Sequence, residues 1–96
     1  MNYKIRWLPQ ASQDLHEVRD YLDKEAPDAA SEIVRNIYES INNLVFMPYR
    51  CRIDYDNPEY RCLVILESYL AFYRVIGEIV EINYVRHASR DNKGLN

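Results

Sequence analysis

Glycine is scarce in this chain of 96 residues, which holds only Gly77 and Gly94. A loop that cradles phosphates with successive backbone N–H groups needs glycines at fixed offsets, so nucleotide-binding loops of that kind are excluded. No apolar run approaches the ~20 residues that span a bilayer. The opening MNYKIRWLPQ lacks the apolar stretch of a secretory signal, so a cytoplasmic protein with no membrane contact is expected. The two cysteines, Cys51 and Cys62, have no metal-ligand spacing. Reduced thiols are expected in such a compartment, with a disulfide between them as the alternative. A nucleophile elbow and a paired-carboxylate motif are also missing, so no metal and no cofactor are expected. Positive charge is not in surplus either: the net charge of −3 argues against a protein that coats nucleic acid by bulk attraction.

The charge is unevenly spread. Residues 1–45 hold five cations against eight anions, whereas residues 46–96 hold seven of each, six of those cations being Arg. The planar guanidinium fork suits phosphate and carboxylate, so the second half is where an anion would bind.

The length suits a single domain spanning residues 1–96. Tyr3, Ile5 and Trp7 alternate with Lys4 and Arg6, which predicts an outer strand over 2–8. Pro9 stops it and suits a first helical position, where its missing N–H is not needed. Ala11, Leu15, Val18 and Leu22 then recur at helical spacing, and this helix should fade near Lys24–Ala26. Pro27 and Asp28 open a second helix with Ile33, Ile37, Ile41 and Leu44 on its stripe, closed by Pro48. The two should form an antiparallel hairpin. A short strand near Arg50–Ile53 follows, then a turn around Asp54, Asp56, Asn57 and Pro58.

Three strong strand signals come next: Arg61–Leu66, Tyr69–Ile76 and Ile79–Arg86, rich in β-branched and aromatic residues. Glu67–Ser68 and Gly77–Glu78 are the two-residue connections, which imply tight hairpins. The predicted class is therefore α+β: an N-terminal strand, a two-helix hairpin, then a three- to four-stranded antiparallel sheet packed on the helices. If Leu66 pairs with Tyr69 and Ile76 with Ile79, one face carries Cys62, Val64, Leu66, Tyr69, Ala71, Tyr73, Val75, Val80, Ile82 and Tyr84. Nothing there is charged, so this face should pack on the helices. The other face carries Arg61, Leu63, Ile65, Leu70, Phe72, Arg74, Glu81, Asn83, Val85 and His87.

On that open face Arg61 stands opposite Arg74, and Arg74 opposite Glu81. Like charges face to face are unfavourable unless an anion lies between them. Glu81 neutralises one arginine, and the row reads either as a solvated ion pair with a spare cation or as a site for phosphate or a partner's carboxylate. Leu63, Ile65, Leu70, Phe72 and Val85 form an apolar patch around it, the composition of a partner groove. The closing run from Arg86 through His87 to Arg90 and Asp91 reads as a polar tail or as acid–base machinery acting on RNA, since a histidine titrates near working pH.

Several strings, weak singly, together resemble the RelE/ParE superfamily of toxins from type II toxin–antitoxin modules. They are Trp7-Leu8-Pro9, Ala11 with Asp14-Leu15, Tyr21-Leu22, Phe46-Met47-Pro48, Tyr60-Arg61, Tyr69 through Val75, and His87 with Arg90-Asp91. The resemblance covers nearly the whole chain. It implies a growth-arresting toxin neutralised by a cognate antitoxin, which would lie on the apolar patch. In the RelE branch, ribosome-dependent mRNA cleavage uses basic residues on the open face. Arg61 and Arg90 match that pattern and His87 is available, whereas Leu63 and Leu70 stand where basic residues are expected. Loss of one preorganised charge donor typically costs ~10²–10³ in rate. The chain is closer to the ParE branch, in the Phe72-Tyr73-Arg74-Val75 string and the histidine opening the tail. That branch implies action on DNA gyrase through protein contacts; the remaining alternative is a non-toxic small α/β protein-interaction module. On the residues themselves, Arg61, Arg74, Glu81, Arg86 and Arg90 are the anion- or partner-binding candidates.

Overall fold

The computed structural model describes residues 2–89. The chain enters through β1 (Lys4–Trp7) and passes directly into α1 (Pro9–Glu25). Pro9 takes an opening position of that helix, as its fixed φ favours. After a turn at Pro27–Ala29 comes α2 (Ala30–Asn42), extended by a short 3₁₀ turn over Asn43–Val45. Both apolar stripes point inward: Ala11 and Leu22 of α1 and Ala30, Ile37, Ile41 and Leu44 are buried. Each of the larger ones, Leu22, Ile37, Ile41 and Leu44, contributes about 1.5–3 kcal/mol when fully removed from water.

The sheet contains β2 (Arg61–Ile65), β3 (Tyr69–Ile76) and β4 (Ile79–His87), in the order β1-β4-β3-β2. It is mixed rather than purely antiparallel, because β1 runs parallel to β4, with Lys4 beside Ile79 and Trp7 beside Ile82. That pairing has no signature in the sequence. Parallel neighbours are joined by a long crossover rather than a turn, and here the crossover contains both helices and two strands. The expected short strand near Arg50 shrinks to one bridge, Ile53 with Arg61.

The β3–β4 hairpin has the expected register from Ile76–Ile79 to Tyr73–Ile82, with Arg74 opposite Glu81. Gly77, with φ of 61°, makes its turn. The β2–β3 hairpin does not follow the expectation. Its turn is formed by Leu66 and Glu67, at φ of 53° and 60°, and the Ser68 N–H donates to the Ile65 carbonyl at 3.1 Å. Ile65, not Leu66, is the last residue paired below the turn, and it faces Tyr69. A one-residue slip sends every side chain of a strand to the opposite face. Leu63 and Ile65 therefore lie in the core against the helices, while Val64 is 52% exposed on the outer face. Arg61 stands opposite Tyr73, not Arg74.

A second irregularity falls on β4, where the register shifts between Phe72 and Tyr73. The extra residue is Asn83. Beyond it the faces exchange, so Tyr84 pairs with Phe72 on the outer side and Val85 with Ala71 in the core. The expectation had placed Val85 and His87 on the open face and Tyr84 on the buried one. Both hairpin corrections share a cause: period-2 alternation assigns faces only while the count of residues is unbroken.

Candidate functional site

The outer face centres on the pair formed by Arg74 and Glu81, whose side chains meet at 2.8 Å from Nε to Oε1. Glu59 accepts from Arg74 Nη1 at 3.4 Å, and the register sets Arg6 of β1 beside Glu81 on its other flank. The hydrogen bond and charge of Glu81 push the Arg74 guanidinium further up from its ordinary value. Glu81 itself is buried. A carboxylate removed from water needs its charge and lone pairs answered, and Arg74 supplies that answer. Next along the face, Phe72 packs against Tyr84 at 4.8 Å between ring centroids, and the Arg86 guanidinium stacks 4.5 Å above Tyr84.

Arg61 is directed elsewhere. From the helix side of the sheet its Nη1 donates to the carbonyls of Cys51 at 2.7 Å and Tyr49 at 3.2 Å. Its guanidinium also lies 5.1 Å from the centre of the Tyr49 ring. The arginine expected to be spare thus fastens the segment between α2 and β2 to the sheet. Tyr73 fastens the same segment from beneath, its hydroxyl donating to the Pro48 carbonyl at 2.8 Å. Burial, with the nearby Cys51 thiol, drives the Tyr73 phenol far above its ordinary value. Cys51 and Cys62 are not joined by a disulfide.

His87 stands on the helix side, its ring edge-on to Tyr69 at 5.2 Å. The Ser89 N–H donates to Nδ1 at 3.2 Å and the Ser89 hydroxyl lies 2.7 Å from the same nitrogen. An Nδ1 that accepts a backbone N–H is the unprotonated nitrogen, leaving the proton on Nε2. Arg61 and His87 do not converge. They neighbour Tyr73 and Tyr69 respectively, about 13 Å apart along β3 at ~3.3 Å per residue. Arg90 lies outside the described residues.

The five residues expected to form an antitoxin groove do not share a surface. Leu63, Ile65 and Val85 are core residues, Phe72 is buried beside Tyr84, and Leu70 alone is partly open on the outer face. Exposed apolar surface gathers instead on the segment after α2, where Phe46 and Tyr55 are 78% and 92% exposed beside Met47, Tyr49 and Ile53.

One depression of about 500 Å³ opens between α1 and the end of β4, with Asp14, Glu17 and Tyr21 on the helix wall and Tyr69 and His87 on the sheet. Asp14 Oδ2 accepts the Val85 N–H at 3.0 Å, while its Oδ1 takes a bond from Gln10 at 2.7 Å. Reading the sequence gave Asp14 no role; its only signal was membership of the Ala11–Asp14-Leu15 string. Among the described residues no three His, Cys, Asp or Glu side chains gather as metal ligands, and no helix is long and apolar enough to cross a membrane.

Comparison with known proteins agrees with this architecture. Residues 5–92 match the family model of the ParE toxin of the type II toxin–antitoxin system parDE. A toxin named RelE2, from Caulobacter vibrioides, is 30% identical over 87 residues, covering 91% of this chain and 97% of that protein. Among solved structures, a chromosomal ParDE system from P. aeruginosa superposes with a TM-score of 0.81 at 22% identity, over 88% of this chain and 95% of that one. The RelBE2 toxin–antitoxin complex from Mycobacterium tuberculosis gives 0.62 at 20% identity, over 91% and 99%. The two helices on a four-stranded mixed sheet are common to this fold, and the chain belongs to the ParE toxin family of type II toxin–antitoxin systems.

Proposed function

We propose that this toxin, held inactive by a cognate antitoxin, arrests growth by binding DNA gyrase through protein contacts and without hydrolysis. The observation that carries this reading is the commitment of its arginines. Arg61 is spent on the Cys51 and Tyr49 carbonyls and Arg74 on Glu81 and Glu59. Cleavage of RNA would need a base, a charge donor and an acid within hydrogen-bond reach of one phosphate. Arg61 and His87 stand on separate rows of the sheet, and Leu70, at a position where the nuclease branch has an arginine, brings no charge to the outer face. The match to the ParE toxin model supports placing the chain nearer that branch.

The competing reading is a metal-independent, ribosome-dependent mRNA endoribonuclease using Arg61, His87 and Arg90. It draws on the RelE2 name of the 30%-identical relative. Purified toxin added to a gyrase supercoiling reaction and, separately, to a translating extract tests both. Inhibited supercoiling with intact message is expected. Unaffected supercoiling together with new mRNA 5′ ends would replace the first reading with the second.

A further inference from the structure

On the side of β2 away from β3, the segment after α2 runs back along the sheet, with Ile53 bridged to Arg61. The Cys62 N–H donates to the Arg52 carbonyl at 3.0 Å, and the Asp54 N–H to the Tyr60 carbonyl at 2.7 Å. Main-chain groups alternate sides along an extended chain, and the N–H and carbonyl of one residue share a side. Arg52 and Asp54 turn theirs toward β2, so the N–H and carbonyl of Ile53 turn away from the sheet. Neither has a partner among the described residues. Ile53 is 51% exposed and Tyr55, two residues on, 92%. Backbone groups in such a place are a template for a further chain.

The flanking charges select the chain that fits. Arg50-Cys51-Arg52 precedes Ile53 and Asp54-Tyr55-Asp56 follows it, a pattern complementary to itself when reversed. A second copy running antiparallel, related by a two-fold axis at Ile53, sets Arg52 opposite Asp54 of the copy and Asp54 opposite its Arg52. One step further out, Arg50 comes opposite Asp56 in the same way. The two isoleucines then exchange both of their N–H···O bonds, as directly opposed residues of an antiparallel pair do. Opposite charges across a ladder are favourable and like charges are not, and a two-fold interface requires a patch that complements itself. Arg50, Arg52 and Asp56 are exposed and Asp54 half-buried. None of these four side chains is held in an ion pair or hydrogen bond among the described residues.

The opposite edge of the sheet has the contrary pattern. On β1 the Lys4 N–H donates to the Glu78 carbonyl at 2.9 Å, toward β4, so Ile5 is an outward residue there. A two-fold pairing centred on Ile5 would set Lys4 against Arg6, cation against cation. One edge repels its own copy and the other attracts it.

We propose that the Ile53 edge pairs with the same edge of a second copy of this chain, forming a two-fold dimer closed by crossed Arg52–Asp54 ion pairs. The ladder is short and its charges lie at the surface, so the dimer is weak and sensitive to salt. It goes beyond the reading above and does not depend on whether gyrase or the ribosome is the target.

Sedimentation velocity of the full-length chain, from about 1 µM to about 500 µM, covers the range of a weak dimer. Mass should rise from monomer toward dimer with concentration, and added salt should reverse the rise. Arg52→Asp and Asp54→Arg each set two like-charged pairs face to face, and each should raise the dissociation constant at least about tenfold. An equimolar mixture of the two variants should recover the wild-type affinity to within about threefold, because the acidic edge of one meets the basic edge of the other. Hydrogen exchange at the Ile53 amide of the wild type should slow as concentration rises. A monomer throughout the range, a dimer indifferent to either reversal, no recovery in the mixture, or Ile53 exchange that ignores concentration would each overturn the proposal. Thermal melts check that both variants fold. Were one to unfold, the salt dependence and Ile53 exchange of the wild type would decide alone.

Discussion

At the β3–β4 turn a glycine, Gly77, carries the left-handed backbone with φ of 61°; at the β2–β3 turn that conformation falls on Leu66 and Glu67, at 53° and 60°. Left-handed residues with a β-carbon cost about 1–2 kcal/mol each, so the second turn stores strain that the first avoids. The strain is offset by what it places inside. With the turn at Leu66 and Glu67, Leu63 and Ile65 enter the core, worth about 1.5–3 kcal/mol apiece, and Arg61 leaves the row of Arg74. The difference teaches that a hairpin's register can be set by what its strand buries, against the preference of its own turn.

The largest test of that contrast compares neighbours on β2. Leu63→Ala should cost about 2–5 kcal/mol as a core truncation, while Val64→Ala should change stability by under about 0.5 kcal/mol; chemical denaturation of both variants measures the pair. The reverse order would restore the register expected from the sequence. Arg61→Ala comes next, removing charge-assisted bonds to two carbonyls, at about 1.5–3 kcal/mol for such bonds. Proteolysis should then cut first between residues 46 and 60. A variant as stable and as protease-resistant as wild type would return Arg61 to the role of a free anion-binding group.

Replacing Leu66-Glu67 by Asn-Gly should stabilise the protein by about 1 kcal/mol, because those residues tolerate a turn with two positive φ angles. That corresponds to a melting temperature roughly 4–8 °C higher for a domain of this size. Unchanged or lower stability would show the turn to be unstrained. The smallest effect belongs to Tyr73→Phe, which removes one bond to Pro48, about 0.5–1.5 kcal/mol. Its pH dependence is the sharper readout. Burial raises the phenols of Tyr69 and Tyr73 above their ordinary 10.0, so the folded state holds their protons more tightly than the unfolded chain. Their stabilisation is complete below pH 10 and is lost as pH rises through the folded values. Tyr73→Phe should therefore lessen the alkaline loss of stability, followed by thermal melts across that range.

Much of the site's misreading traces to the two places where alternation breaks. The Arg74–Glu81 pair was legible because Gly77–Glu78 marks its turn and the count from there is unbroken. Leu63, Ile65 and Val85 looked like an open apolar groove only because the Leu66–Glu67 turn and the Asn83 bulge each shift the count by one, and neither carries a glycine or proline to announce it. The role of Arg61 was illegible for another reason: its acceptors are backbone carbonyls of a segment whose path has no periodicity.

The sequence by itself determined the two helices, through apolar stripes and the prolines that bound them, and the β3–β4 hairpin, through its strand composition and Gly77. Local spacing suffices for those because their partners lie within one turn of helix or one hairpin. Only the tertiary structure decided that β1 lies parallel to β4, which face β2 buries, and that Asp14 caps Val85 from 71 residues away. These are contests between distant surfaces, settled by which apolar residues leave water and which backbone groups find a partner, and neither outcome is written in any short stretch of the chain.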